Sequence, residues 1–137
     1  MNDHDSELIT RANELADIAR SLAHATRTID RPYDSYLLLG CLTATQRSLS
    51  QVYDQLANWH SNVIDGVEFN GEDGCGAGCA PGVARAELGL RDAAQFAGIV
   101  EDALLQAHNA NSVVRWFEPT SGRGAIGQPN DDDVSTD

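Results

Sequence analysis

Lysine is missing from this chain: all nine cations among its 137 residues are arginines, set against 21 acids, for a formal net charge of -12. A chain so short of cations offers no basic stripe to track a phosphate backbone, which argues against nucleic acid as a partner. Also missing is any apolar run near the roughly 20 residues that a membrane-spanning helix needs. The amino-terminal stretch MNDHDSELIT is acidic where a secretory signal is basic and then apolar. No membrane association is expected, and the chain reads as cytoplasmic. Cysteine is scarce, and the odd set Cys41, Cys75 and Cys79 is poor material for a disulfide framework. With aromatics at 6%, the core must be built mainly from aliphatic side chains.

The negative charge is unevenly spread. Residues 35–65 carry two acids and one arginine, residues 83–117 four acids and three arginines, and residues 118–137 five acids and one arginine. Acids therefore do not carpet the central segments, as DNA mimicry would require. Charge usage of this kind bears on solubility and not on fold.

Apolar periodicity is what the sequence does have. Leu8, Leu15, Leu22 and Ile29 recur every seven residues, with Ala12, Ile18, Ala19 and Ala25 on adjoining positions, which predicts an amphipathic helix over about 6–29. Asp5 or Ser6 can cap its start, and IDRP at 29–32 ends it. A second helix is predicted over about 34–64. There Leu42, Leu49, Leu56 and Val63 form one heptad series and Leu38, Thr45, Val52 and Trp59 another. A third, over about 82–116, opens near Pro81 and runs through Leu90, Ala93, Ala97, Val100, Leu104, Ala107 and Val114 toward Trp116. Gly89 and Gly98 interrupt it, each at about 1 kcal/mol relative to alanine, so packing has to compensate. The glycine-rich connector 65–81 is expected to be flexible. The segment 118–137 has too few large apolar residues to offset its ordering entropy and is expected to be a disordered acidic tail. The expected fold is all-α: an antiparallel three-helix bundle forming a single domain over 1–117.

Motifs that would carry chemistry are weak or incomplete. Cys75 and Cys79, in GEDGCGAGCA, are separated by three residues, and no second ligand pair accompanies them. Structural zinc needs four ligands, and a thioredoxin-like pair has two intervening residues after a strand. No native metal or redox role is expected for these thiols. His60 is near enough in sequence to add one ligand, which makes three. His24 and His108 each follow an acid by seven residues, Asp17 and Glu101 respectively. Both sit late in their helices, where the negative end of the dipole favours histidine without any function. Ferritin-like di-iron proteins need Glu-x-x-His on two helices, and the chain has none. Helical nucleotide pyrophosphohydrolases of the MazG type pair two acidic motifs across helices. Only Glu14 and Asp17 approach one of these, and no second motif follows. Helical hairpins of the ESX-secreted type carry Trp-x-Gly at their turn, whereas Trp59 is followed by His60 and Ser61.

No catalytic, cofactor-binding or metal-ligating residue is therefore assigned, no cofactor is expected, and an enzyme is not expected. The reading that remains is a non-enzymatic interaction or scaffold protein that binds itself, as a homodimer, or another protein. The alternative is a metal-dependent nucleotide pyrophosphohydrolase-like protein or a metal- or ligand-binding bundle. The second helix carries more apolar surface than two neighbours need. The expected interface residues are Trp59, Val63 and Ile64 at its end and Tyr36, Leu37, Leu39 and Tyr53 outside its main stripe.

Overall fold

A computed structural model describes residues 6–69 and 81–118. The fold is all-α, with three helices: α1 (Glu7–Ala25), α2 (Pro32–Asn62) and α3 (Pro81–Asn111). The described residues fall in two compact units, one holding α1, the first residues of α2 and residues 116–118, the other running from Tyr36 to Arg115. The glycine-rich stretch 70–80, with Cys75 and Cys79, and the acidic tail 119–137 lie outside the described residues.

Each helix is bounded by recognisable chemistry. Ser6 caps α1, its side-chain oxygen accepting from the Ile9 amide at 3.3 Å. The helix stops at Ala25, four residues short of the expected end. Thr26 and Thr28 are β-branched and poor helix formers. The amides of Arg27 and Thr28 instead bond three residues back, to His24 and Ala25, at 3.3 Å. Ile29 therefore falls outside the helix whose stripe it was expected to complete. Pro32 and Pro81 are the first residues of α2 and α3, where a missing amide donor is not needed. The last helix ends at Asn111, not 116, as Ser112 turns its hydroxyl onto the Asn109 carbonyl at 2.6 Å.

Past α2 the chain makes a closed turn where a slack loop was expected to begin. Asp65 and Phe69 form an isolated bridge, the Gly66 amide donates to the Phe69 carbonyl at 2.7 Å, and the Ile64 amide donates to the Glu68 carboxylate at 2.7 Å. Gly66 has φ +86°, a left-handed conformation that favours glycine. Gly66→Ala is expected to lower stability by about 1 kcal/mol, although an added Cβ would meet no atom within 4 Å. A urea midpoint unchanged from wild type would contradict that backbone argument.

Within the second unit α2 packs against α3. Arg47 pairs with Glu101 at 2.7 Å, Ser50 donates to the Ala94 carbonyl at 2.9 Å, and Arg91 pairs with Asp54 at 2.7 Å. Tyr36 stacks on His108 with ring centroids 4.4 Å apart. Partner numbers fall along α3 as they rise along α2, so these two helices run antiparallel. Their seam is made of small residues: Ser50 meets Ala94, Gly40 faces His108, and Thr43, Ala57 and Ala97 are buried. A Cβ added at Gly40 would lie 3.4 Å from His108 Nε2. Thr43, Ala57 and Ala97 are the only buried residues among those described. Thr43 is satisfied there, its hydroxyl donating to the Leu39 carbonyl at 2.7 Å.

The heptad stripes expected to form the core of α2 are not this seam. Leu42, Leu49 and Leu56 each precede a seam residue by one position, which on an α-helix is a rotation of about 100°. Val52, Leu56 and Trp59 are exposed, and Leu38, Leu42 and Leu49 are half-buried. On α3 the expectation holds better: Ala97 is buried, and Leu90, Ala93 and Leu104 are half-buried. Taken by itself, α1 buries no residue, and Leu8 and Ile18 are exposed. Its ion pairs, Arg11 with Glu7 and Arg20 with Asp17, are likewise solvent-exposed and contribute little.

Candidate functional site

The α2–α3 hairpin has two flanks of opposite character. Four residues after Thr43, Ser50 and Ala97 come Arg47, Asp54 and Glu101, and His108 follows Glu101 by seven. The pairing of Arg47 with Glu101 puts these on one flank. Arg91 extends it, reaching Asp54, the Asn58 side chain at 2.8 Å and Glu87 at 3.5 Å. This flank is polar and closed by its own partners. In an antiparallel pair, positions that share one offset from the seam meet on one side. The residues one before the seam must therefore share the other flank. They are Leu42, Leu49 and Leu56 on α2 and Gly89, Phe96 and Ala103 on α3.

That second flank is apolar and uncovered. Trp59 is 56% exposed and Phe96 61%, with Val52, Leu56 and Val100 also exposed. Its stripe on α2, running at helical spacing from Leu38 to Val63, carries no charged residue, whereas on α3 Arg85 and Asp92 share the offset from the seam that Trp59 has on α2. Gly89 belongs to this flank, and a Cβ added there would meet nothing within 4 Å. A glycine inside a helix destabilises it by about 1 kcal/mol relative to alanine. No close approach among the described residues accounts for Gly89 or for Gly98, where an added Cβ would likewise meet nothing within 4 Å.

The seven interface residues expected from the sequence divide. Trp59 is on the uncovered flank, and its ring meets His60 edge-on at 4.9 Å. His60 Nδ1 lies 2.8 Å from the Leu56 carbonyl, which only accepts, so this nitrogen carries the proton. Leu37 and Ile64 are exposed and Val63 is half-buried, with Val63 and Ile64 just beyond the end of α2. Tyr36 is engaged by His108, and Leu39 and Tyr53 are half-buried on positions flanking the seam. Phe96 was missed. An aromatic at the centre of the otherwise small series Gly89, Ala103, Ala110 was the signal for it.

As for chemistry, no group of three or more His, Cys, Asp or Glu among the described residues is placed to hold a metal ion. Glu14 is exposed, Asp17 is paired with Arg20, and Cys41 is an exposed free thiol. Among the described residues no helix is long and apolar enough to cross a membrane. Comparison of the chain with protein-family models, curated proteins and solved structures returns no match.

Proposed function

We propose that the chain is a non-enzymatic helical interaction module whose uncovered α2–α3 flank is its binding surface. The observation that carries this is the combination of Trp59, Leu56 and Phe96 exposed on one mainly apolar flank while the opposite flank closes on itself through ion pairs. Contiguous apolar surface of this kind marks an interface, and aromatic anchors dominate interface energetics.

The antiparallel three-helix bundle suggested by the sequence would cover this flank with α1 of the same chain. Length limits that arrangement. At 19 residues α1 spans about 28 Å, whereas α2 and α3, at 31 residues each, span about 46 Å. About two fifths of the flank would stay open. A partner that supplies long helices of its own covers it better, and a second copy or another protein of the cytoplasm can do so.

Trp59→Asp tests the reading, because a carboxylate in a desolvated apolar contact is strongly unfavourable. The full-length variant is expected to keep wild-type helicity by circular dichroism and to lose association measured by light scattering coupled to gel filtration. A Trp59→Asp chain that associates as the wild type does would reject this flank as the interface.

A further inference from the structure

We infer, resting on that reading, that the occupant of the uncovered flank is a second copy of the same chain. The two hairpins stack flank to flank about a two-fold axis parallel to the helices, with α2 of each on α3 of the other. The first argument is angular. Leu42, Leu49 and Leu56 are displaced by about 100° from the seam residues Thr43, Ser50 and Ala57. A helix at the corner of a square four-helix array faces its two neighbours about 90° apart, against about 60° in a three-helix bundle. The stripe of Leu42, Leu49 and Leu56 is therefore set for a four-helix corner, which two hairpins make and one hairpin with α1 does not, and Val52 and Trp59, two positions past the seam, lie at the outer edge of that contact.

The second argument is size. The pairs Gly40 with His108, Arg47 with Glu101, Ser50 with Ala94 and Asp54 with Arg91 fix which residues share a level along the hairpin. A two-fold axis along the bundle preserves these levels, so each α2 residue meets its level-mate on the partner's α3. Toward one end Leu56 and Trp59 on α2 share a level with Ala93, Gly89 and Ala86 on α3. Toward the other, Leu42 shares one with Ala103. Phe96 shares its level with both Leu49 and Val52, and Val100 shares one with Thr45. Large opposes small toward the two ends, and Gly89 receives a neighbour where an added Cβ meets none of the described residues within 4 Å.

Area and charge agree with this occupant. A flank about 46 Å long and roughly 18 Å wide, two helix diameters at a spacing of 8–10 Å, presents on the order of 800 Å² per copy, the usual size of a stable dimer interface. Leu42, Leu49 and Leu56 on α2 and Gly89, Phe96 and Ala103 on α3, at the centre of the flank, are uncharged, and Arg85 and Asp92 at its edge are of opposite sign, even though each copy carries a net -12.

A volume exchange in the full-length protein decides the matter. Sedimentation equilibrium of the wild type is expected to give the mass of two chains at micromolar concentration. Gly89→Leu fills the place of the partner's Trp59 and is expected to raise the dimer dissociation constant about 30-fold or more. It should leave helicity intact, since the site is open within the chain. Combining Gly89→Leu with Trp59→Ala makes room again and is expected to recover most of that loss. A wild-type dimer indifferent to Gly89→Leu but dissociated by Trp59→Asp would overturn this packing while keeping the flank as the interface. A monomeric wild type overturns the second copy outright. Iodide quenching of Trp59 in a Trp116→Phe background then separates two cases. A protected Trp59 means that α1 covers the flank and the interaction reading fails too; an accessible one leaves the flank open for a different protein.

Discussion

Replacing Ala57 with leucine is expected to destabilise the protein by about 3 kcal/mol. Ala57 has no exposed surface and sits where α2 and α3 approach through small residues. Overpacking a filled site forces the helices apart or the new side chain off its rotamer, at typically 1–3 kcal/mol. Separation here also strains what the close approach permits: the Ser50 bond to the Ala94 carbonyl and the Arg91 pair with Asp54. The seam has no other buried large residue that could shrink to accommodate a leucine. Urea denaturation followed by helicity, at one fixed protein concentration, measures the loss. A change below about 0.5 kcal/mol would show that the hairpin seam is looser than its burial indicates. Ala57→Gly provides the contrast, being expected to lose about 1 kcal/mol through helix propensity without separating the helices.

Why the sequence disclosed one seam and concealed another follows from what periodicity measures. On α3, Leu90, Ala93, Ala97 and Leu104 recur at helical spacing and do face α2, because the large residues and the seam coincide there. On α2 they do not coincide. Leu42, Leu49 and Leu56 give the strongest signal in the chain, yet α3 is met about one residue further round, through Gly40, Thr43, Ser50 and Ala57. Hydrophobic spacing reports which stripe seeks cover and is silent on which element supplies it. A series of small residues every seven positions has little hydrophobicity and a clear physical meaning, since it lets two backbones come close. The helix ends were more legible. Proline at the first position of α3 and the serine cap of α1 act locally, whereas the closed turn at Gly66 and the start of α2 at Pro32 were not foreseen. The early end of α1 turned on weak threonine propensities that a run of heptad leucines outweighed in the reading. Of the candidate interface, Trp59 was visible because it closes an apolar series. Phe96 was not, since its flank is defined only once the pairing of Arg47 with Glu101 fixes the rotation of α3.

The melting temperature of the full-length protein is expected to climb with its concentration, by about 4 °C for each tenfold increase. Three small buried side chains, Thr43, Ala57 and Ala97, are a slender core for helices of 31 residues. A two-helix hairpin of that kind has little apolar burial to set against its conformational entropy. If flank-to-flank pairing supplies the missing burial, folding and association are one equilibrium, and mass action makes stability depend on chain concentration. With an unfolding enthalpy near 0.7 kcal/mol per residue over roughly 100 ordered residues in each of two chains, a tenfold change in concentration, worth about 1.4 kcal/mol per dimer, moves the midpoint by the stated amount. Salt gives an independent check of sign. Two copies at net -12 repel over distances that salt screens, while the centre of the proposed contact contains no charge. Raising sodium chloride from about 50 mM to 500 mM is therefore expected to tighten the dimer and raise the melting temperature further. An interface held by ion pairs would weaken instead. Leu49→Ala joins the two effects. Half-buried in a single chain and covered in the pair, it is expected to lose about 2–5 kcal/mol per chain where the dimer is populated and about 1 kcal/mol where it is not. A midpoint constant from 1 to 100 µM, with the same Leu49→Ala penalty at both ends, would show that the hairpin is stable without a second copy.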